Sequence, residues 1–404
     1  MFNHLDREQK YILGVLTLIN FLNYVDRQVI FPLFSSIQSE FQISDFELGL
    51  LGTLFMLIHS LASVPLGILA DKYPRKMIIS VGVFFWSIVT FLSGLTRNFQ
   101  QLLMLRSLVG IGEASYAPAA TAIISETFPQ KMRATVQGVF NIGMFAGGTF
   151  GIVLGGMVAY YFHSNWRIAF FIVAVPGMLL AYLAARLKTR NQAMHHQLPR
   201  QGLAILMGNR AYLWLLVSGI LVTFAAGAFL SWGIEFIHRY KGYNLRDASL
   251  ILGSTMLVAG ITGVILGSYL SDKAYARLCW GRCGVIAASL ILAGPIIFFG
   301  IHQENELLFI LCFFFGIALA CFYHGPVTAV IHDIVPQNIW ATAFAVYLLV
   351  IHLLGDTLSP VIIGLISDHK DLITGMELSA IFVFASGLTF IPVCLSIKNQ
   401  SPKV

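Results

Sequence analysis

Apolar residues run along this chain in stretches of about 20, the length that crosses a bilayer as a helix. Charged residues, prolines and glycines separate them. Twelve such stretches are present, at residues 10–38, 46–70, 77–96, 100–125, 134–162, 167–187, 210–238, 247–271, 282–301, 307–331, 340–366 and 375–397. None alternates apolar and polar positions with a period of two, which sets aside a membrane β-barrel. Helices satisfy their own backbone groups inside lipid. The pattern predicts an all-α membrane protein with twelve transmembrane helices.

Composition narrows the class. Of 404 residues, 57% are apolar and only 11% charged, against roughly 25% charged in soluble domains. A soluble enzyme, a disulfide scaffold and a disordered chain are therefore excluded. The first apolar stretch is too long for a signal peptide. The five cysteines (Cys279, Cys283, Cys312, Cys321 and Cys394) all lie in the second half. No histidine or further cysteine beside Cys279 and Cys283 completes a zinc set, so they read as small apolar residues. No metal or cofactor is expected.

The net charge of +6 would point to nucleic acid in a soluble protein. Here its placement explains it. With the N-terminus inside, the termini and the loops on that side carry 17 Lys and Arg, and the opposite loops carry 6. Both termini are thus expected in the cytoplasm, in the plasma membrane if the source is bacterial. No nucleic-acid partner is expected. Two arginines, Arg27 and Arg106, are left inside spans.

The longest connection on the inner side, residues 189–208, joins six spans in 1–188 to six in 209–404. The halves repeat. Asp71-Lys72 after the second span matches Asp272-Lys273 after the eighth, 201 residues on. Phe128-Pro129-Gln130 with Ala134-Thr135 matches Val335-Pro336-Gln337 with Ala341-Thr342, 207 residues on. Parallel six-helix repeats are the plan of one large transporter class.

The loop after span 2 reads Gly67-Ile-Leu-Ala-Asp71-Lys72-Tyr-Pro-Arg75-Lys76. It resembles the signature loop of the major facilitator superfamily, which implies a fold of two six-helix halves and a conformational latch. Gly67, Asp71, Lys72 and Arg75 fall on the motif. The second copy keeps Asp272, Lys273 and Arg277 and shifts its glycine to Gly267, so a weaker latch is expected there. Span 5 carries Gly143, Gly147, Gly151 and Gly155, four apart, one face nearly bare of side chains for close helix packing. The resemblance places this helix at the interface between halves, although the proline usual in that stretch is absent.

The charges inside spans carry the most information. Asp26 and Arg27 lie midway along the first; Arg106 and Glu113, two helical turns apart, share one face of the fourth. An ionisable group at mid-bilayer costs about 2.5–3.5 kcal/mol or more, so these four are expected to pair. One reading is purely structural: Asp26 with either arginine and Glu113 with the other. The other gives them a task. Burial disfavours a charged carboxyl and a nearby guanidinium favours it. A carboxylate whose arginine moves or is taken by substrate can therefore load and release protons. Asp26 and Glu113 are the candidates for proton coupling, Arg27 and Arg106 for an anionic substrate group.

The segments Asn23-Tyr24-Val25-Asp26-Arg27 and Gly110-Ile-Gly112-Glu113-Ala-Ser-Tyr116-Ala-Pro118-Ala, with Ile124-Ser-Glu126-Thr-Phe-Pro129, resemble the spinster family of that superfamily. The resemblance implies transport of lysophospholipids or sphingoid phosphates. It also implies proton coupling through Asp26 and Glu113, with Arg27, Arg106 and Tyr116 in the substrate cavity. The anion:cation symporter branch shares much of this pattern and leaves small organic anions as the alternative substrate class. In the second half, His352 and Asp356 are one turn apart, and His324 precedes Gly325-Pro326, where a broken helix can line a cavity. These three are further substrate-site candidates. His59 reads as a hydrogen-bonded interior residue. Phe313, Phe314, Phe315, Phe322 and Tyr323 are possible apolar lining. Neither an enzyme's catalytic set nor a Gly-x-x-x-x-Gly-Lys-Ser/Thr loop occurs. The expected protein is a monomeric, proton-coupled transporter whose partners are an amphiphilic or anionic small molecule, protons and membrane lipids.

Overall fold

The computed structural model describes residues 6–162, 165–188, 200–278 and 280–400. Most of the connection between the halves (189–199) and Cys279 lie outside the described residues, as do the side chains of Asp71 and Arg133. The described residues are almost wholly helical. In chain order the helices of the first half are α1 (Arg7–Val29), α2 (Phe34–Phe41), α3 (Asp45–Lys72), α4 (Arg75–Ser93), α5 (Phe99–Ala114), α6 (Tyr116–Thr127), α7 (Gln130–Tyr161) and α8 (Arg167–Ala185). Those that follow are α9 (Arg200–Gly208), α10 (Arg210–Lys241), α11 (Leu245–Tyr275), α12 (Gly281–Ile301), α13 (Glu306–Cys321), α14 (Val327–Ile334), α15 (Trp340–Ile351), α16 (Ser359–His369) and α17 (Leu372–Gln400).

Local signals set the ends. Asp6 with Gln9 and Ser44 with Glu47 form capping boxes that start α1 and α3. Asn98 and Asn305 cap α5 and α13. Among the described residues, nine helical stretches are long and apolar enough to cross a membrane. The other three predicted spans are each interrupted, and in each a proline sits at the break. Pro32 lies in a 3-10 turn (Phe31–Leu33) between α1 and α2. Pro118 cannot donate to the Ala114 carbonyl, and α5 gives way to α6 there; Pro326 does the same for Phe322 between α13 and α14. The eleventh span holds a π turn, His352–Asp356, closed by Thr357 N donating to His352 O at 3.1 Å.

The chain forms two compact units, one of residues 1–196 and 237–253, the other of 197–236 and 254–404. In the first, α1 packs along α7, α4 along α8, and α3 and α4 along α5. In the second, α12 packs on α13 and α17. Helices cannot gain hydrophobic energy from each other in lipid, so close backbone approach supplies the contact. The glycine stripe of α7 does this against α1. A Cβ on Gly143, Gly151 or Gly155 would stand 2.7, 2.6 and 2.5 Å from the carbonyl oxygens of Thr17, Val25 and Val29, and one on Gly147 would collide with the Phe21 carbonyl. Two four-residue periodicities thus mesh inside the first unit. The neighbouring Gly156 faces Ser249 of α11.

Candidate functional site

Successive residues on a helix project about 100° apart, so Asp26 and Arg27 meet different neighbours on α5. Asp26 Oδ1 accepts from Arg106 Nη1 at 2.7 Å and Oδ2 from Thr90 Oγ1 of α4 at 2.5 Å. Arg106 Nη2 also donates to the Asp26 carbonyl at 3.1 Å. Side-chain exposure is 0% for Asp26 and 2% for Arg106. This pair is sealed, and every oxygen of the Asp26 side chain is filled.

Arg27 crosses to Glu113. Its Nε donates to Glu113 Oε2 at 2.7 Å, and its Nη2 lies 2.7 Å from His59 Nε2 of α3. The carboxylate is fully buried while Arg27 keeps 16% of its side chain exposed. Glu113 Oε1 is buried with no hydrogen-bond partner among the described residues. An orphaned acceptor of this kind costs about 1–3 kcal/mol. Phe55 lies between the two arginines, 5.5 Å from the Arg27 guanidinium and 5.8 Å from that of Arg106. Tyr24 flanks Arg27 at 5.2 Å and Phe170 flanks Arg106 at 5.5 Å. Two anions and two cations cancel within one aromatic-walled cluster. Of the two candidate substrate cations, Arg27 is the partly exposed one and Arg106 is buried.

The structure places Tyr116 apart from this chemistry. It is buried against Trp86 and Phe140, with its hydroxyl donating to the Leu16 carbonyl. In the second unit, His352 Nδ1 lies 2.9 Å from Asp356 Oδ2 across the π turn, a helical irregularity often found at functional sites. Asp356 Oδ1 is buried without a partner among the described residues. His324 stands exposed on the α13–α14 break, near enough to His352 to interact electrostatically. Tyr323 and Tyr347 are buried, and their hydroxyls converge beside Gly219. Phe313 is buried in a cluster with Phe229, Phe236 and Phe309.

At the signature loop, Gly67 lies near Pro118, Lys72 is exposed, and Arg75 is buried and pairs with Glu126 of α6. The Asp71 side chain is outside the described residues. In the second copy, Asp272 pairs with Arg282 at 3.4 Å, while Arg277 is exposed. Arg282 also reaches Asp333 at 3.3 Å and lies over the Tyr275 ring at 3.8 Å. Arg75–Glu126 and Arg282–Asp333 are separated by 207 residues at both members, the spacing already visible in the repeat. That spacing could have identified Arg282 over Arg277. His59 and Thr90 carry no comparable signal in the sequence.

These features meet their counterparts among known proteins. The major facilitator superfamily model matches residues 16–360. Fold and match define the class, a multi-pass membrane transporter rather than an enzyme. Protein spinster of Drosophila melanogaster is 29% identical over 381 residues, covering 90% of this chain and 62% of that protein. The sphingosine-1-phosphate transporter SPNS2 of Danio rerio is 32% identical over 394 residues, covering 88% of this chain and 75% of that protein. The chain belongs to the spinster family of the major facilitator superfamily. In fold it superposes on a bacterial homolog of the human lysosomal transporter Spinster, in an inward-facing and occupied conformation, with a TM-score of 0.87 at 24% identity, covering 99% of this chain and 100% of that one. A D-xylose-proton symporter gives 0.72 at 16% identity, covering 97% and 98%.

Proposed function

We propose that this protein is a proton-coupled secondary transporter, working by alternating access, for an amphiphile with an anionic head group of the lysophospholipid or sphingoid-phosphate class. The observation that carries the reading is Glu113. It is fully buried, bound to a partly exposed arginine through one oxygen and unpaired at the other. When an anionic head group takes Arg27, Glu113 loses its counter-charge and takes a proton; when the proton leaves, the carboxylate reclaims Arg27. Arg27 is the group that meets substrate. Arg106 holds the cluster in shape, and Asp26 joins the coupling in a state where its clamp on Arg106 opens. His324, His352 and Asp356 form the polar part of the second unit's contribution. The relatives named as sphingosine-1-phosphate transporters support the substrate class.

The loop charges, 17 against 6, support cytoplasmic termini, and residues 1–188 and 209–404 are the two moving halves of a monomer. The test is movement of a labelled lysophospholipid in proteoliposomes with and without an imposed pH gradient. Gradient-dependent movement that Glu113→Gln abolishes is expected. Gradient-driven movement of small organic anions, with none of the lipid, would transfer the protein to the alternative substrate class.

A further inference from the structure

His59 is the single ionisable residue on α3 between Glu47 and Asp71. It is half-buried, its ring stacks on Phe55 at 6.1 Å, and its Nε2 lies 2.7 Å from Arg27 Nη2. A guanidinium has donors only. The His59 Nε2 therefore accepts, and the ring is neutral with its proton on Nδ1. Nε and Nη2 form one edge of the planar guanidinium. Along that edge Arg27 holds two acceptors side by side, the Glu113 carboxylate and the His59 imidazole.

A proton on His59 Nε2 turns that acceptor into a donor and sets a cation against a cation. We propose that His59 is a proton-operated release for Arg27: protonation at Nε2 turns one acceptor on the guanidinium's Nε–Nη2 edge into a repelling donor and releases that edge for an anionic group of the substrate. Glu113 lies on the same guanidinium edge, and its unpaired Oε1 would accept the new imidazolium N–H. One proton arrives on His59 and passes on to Glu113, one anionic charge follows it onto Arg27, and the cluster stays neutral. His59 acts through Arg27 and is a positioning residue.

The surroundings leave few other groups to confuse the assignment. From α1 the charged neighbours are Arg27 and Asp26, and from α5 Arg106 and Glu113. Arg106 and Thr90 between them fill both oxygens of the Asp26 carboxylate. Within the spans α4 and α6 bring only Tyr116, committed to Leu16. α2 brings Glu40, engaged by Arg167 and Trp166.

This inference rests on the transport reading for its purpose, and its chemistry can be tested without transport. 15N-histidine NMR of the full chain in nanodiscs, with the His59 signals assigned by their loss in His59→Gln, reads the tautomer directly. The Nδ1–H form is expected at high pH, with a second proton added on acidification. The titration midpoint should shift by about one pH unit, a tenfold change in proton affinity, in Arg27→Gln. An Nε2–H tautomer in the wild type, or coincident titrations in both proteins, overturns the proposal. The wild-type tautomer alone decides it if Arg27→Gln does not fold. In proteoliposomes, His59→Gln should lower the ratio of lysophospholipid uptake at pH 5.5 to that at pH 7.5 by about threefold or more, since histidine titrates across this window. An unchanged ratio removes His59 and leaves Glu113 standing. Absence of uptake in the wild type removes the transport reading, and the NMR result still decides the linkage.

Discussion

Asp26 and Arg27 are neighbours in the chain and anchor two ion pairs to the same helix, α5. The Asp26–Arg106 pair is closed at its carboxylate: Thr90 fills the second oxygen, and the arginine returns a bond to the Asp26 carbonyl, leaving its buried Nε without a partner among the described residues. The Arg27–Glu113 pair is open at both ends, with a partly exposed guanidinium shared with His59 and a carboxylate oxygen left unpaired. Charge inside a span thus does not by itself mark a coupling site. A saturated carboxylate resists change because a proton that enters must displace an existing bond. An unsaturated one already has a vacant position for a proton and a cation that can be approached.

The largest effect is expected from breaking the closed pair. Asp26→Ala strands Arg106 in the span without counter-charge, and losing one partner of a buried pair costs about 3–5 kcal/mol. Thermal unfolding in detergent measures it. Glu113→Gln keeps an acceptor for Arg27 and removes a buried charge, so its unfolding shift should be a small fraction of that, while gradient-driven uptake is lost. Equal destabilisation by the two variants would dissolve the distinction between the pairs.

Next in size is the seam between α1 and α7. A Cβ at Gly147 meets the Phe21 backbone, which cannot rotate aside, so Gly147→Ala should cost about 1–3 kcal/mol. Gly138, on the same helix, has nothing within 4 Å of an added Cβ. Gly138→Ala should therefore be neutral or stabilising by about 0.5–1 kcal/mol. Similar losses at both positions in a melting assay would mean that helix propensity, not the α1 contact, sets the response.

Much of this was legible in the sequence because lipid imposes length and apolarity on every span. The broken tenth span was readable from Gly325-Pro326, and the α7 stripe from its four-residue spacing. What the stripe touches was not: glycine records the need for close approach but not the identity of the partner. The same holds for the charges. Spacing required that Asp26, Arg27, Arg106 and Glu113 pair, yet left two pairings open, because which arginine reaches which acid depends on the rotation of α1 against α5. His59 reads alike as an interior residue whether it faces a carbonyl or a guanidinium. Arg282 was legible in principle, through Arg75 and the 207-residue repeat.

The smallest effects compare one acidic residue outside the spans in each unit, and they have opposite signs. Glu40 accepts from Arg167 through both oxygens, at 2.7 Å each, and from Trp166 at 2.8 Å. The Arg167 hydrogen bonds hold its carboxyl below the usual carboxylate range. Its stabilisation is therefore present above the ordinary value and lost as pH falls through the lowered one. Asp333 lies the other way: burial pushes its carboxyl up, and Arg282 at 3.3 Å only partly offsets this. Its contribution is present at low pH and lost as pH rises through the raised value. Glu40→Gln should thus cost about 0.2–1 kcal/mol at neutral pH, the range for a solvent-screened pair, and nothing at acid pH. Asp333→Asn should be relatively more stable as pH rises. Unfolding midpoints of the two variants measured from acid to neutral pH should diverge from the wild type in opposite directions. Parallel curves would mean that the Arg282–Asp333 contact outweighs the burial of Asp333.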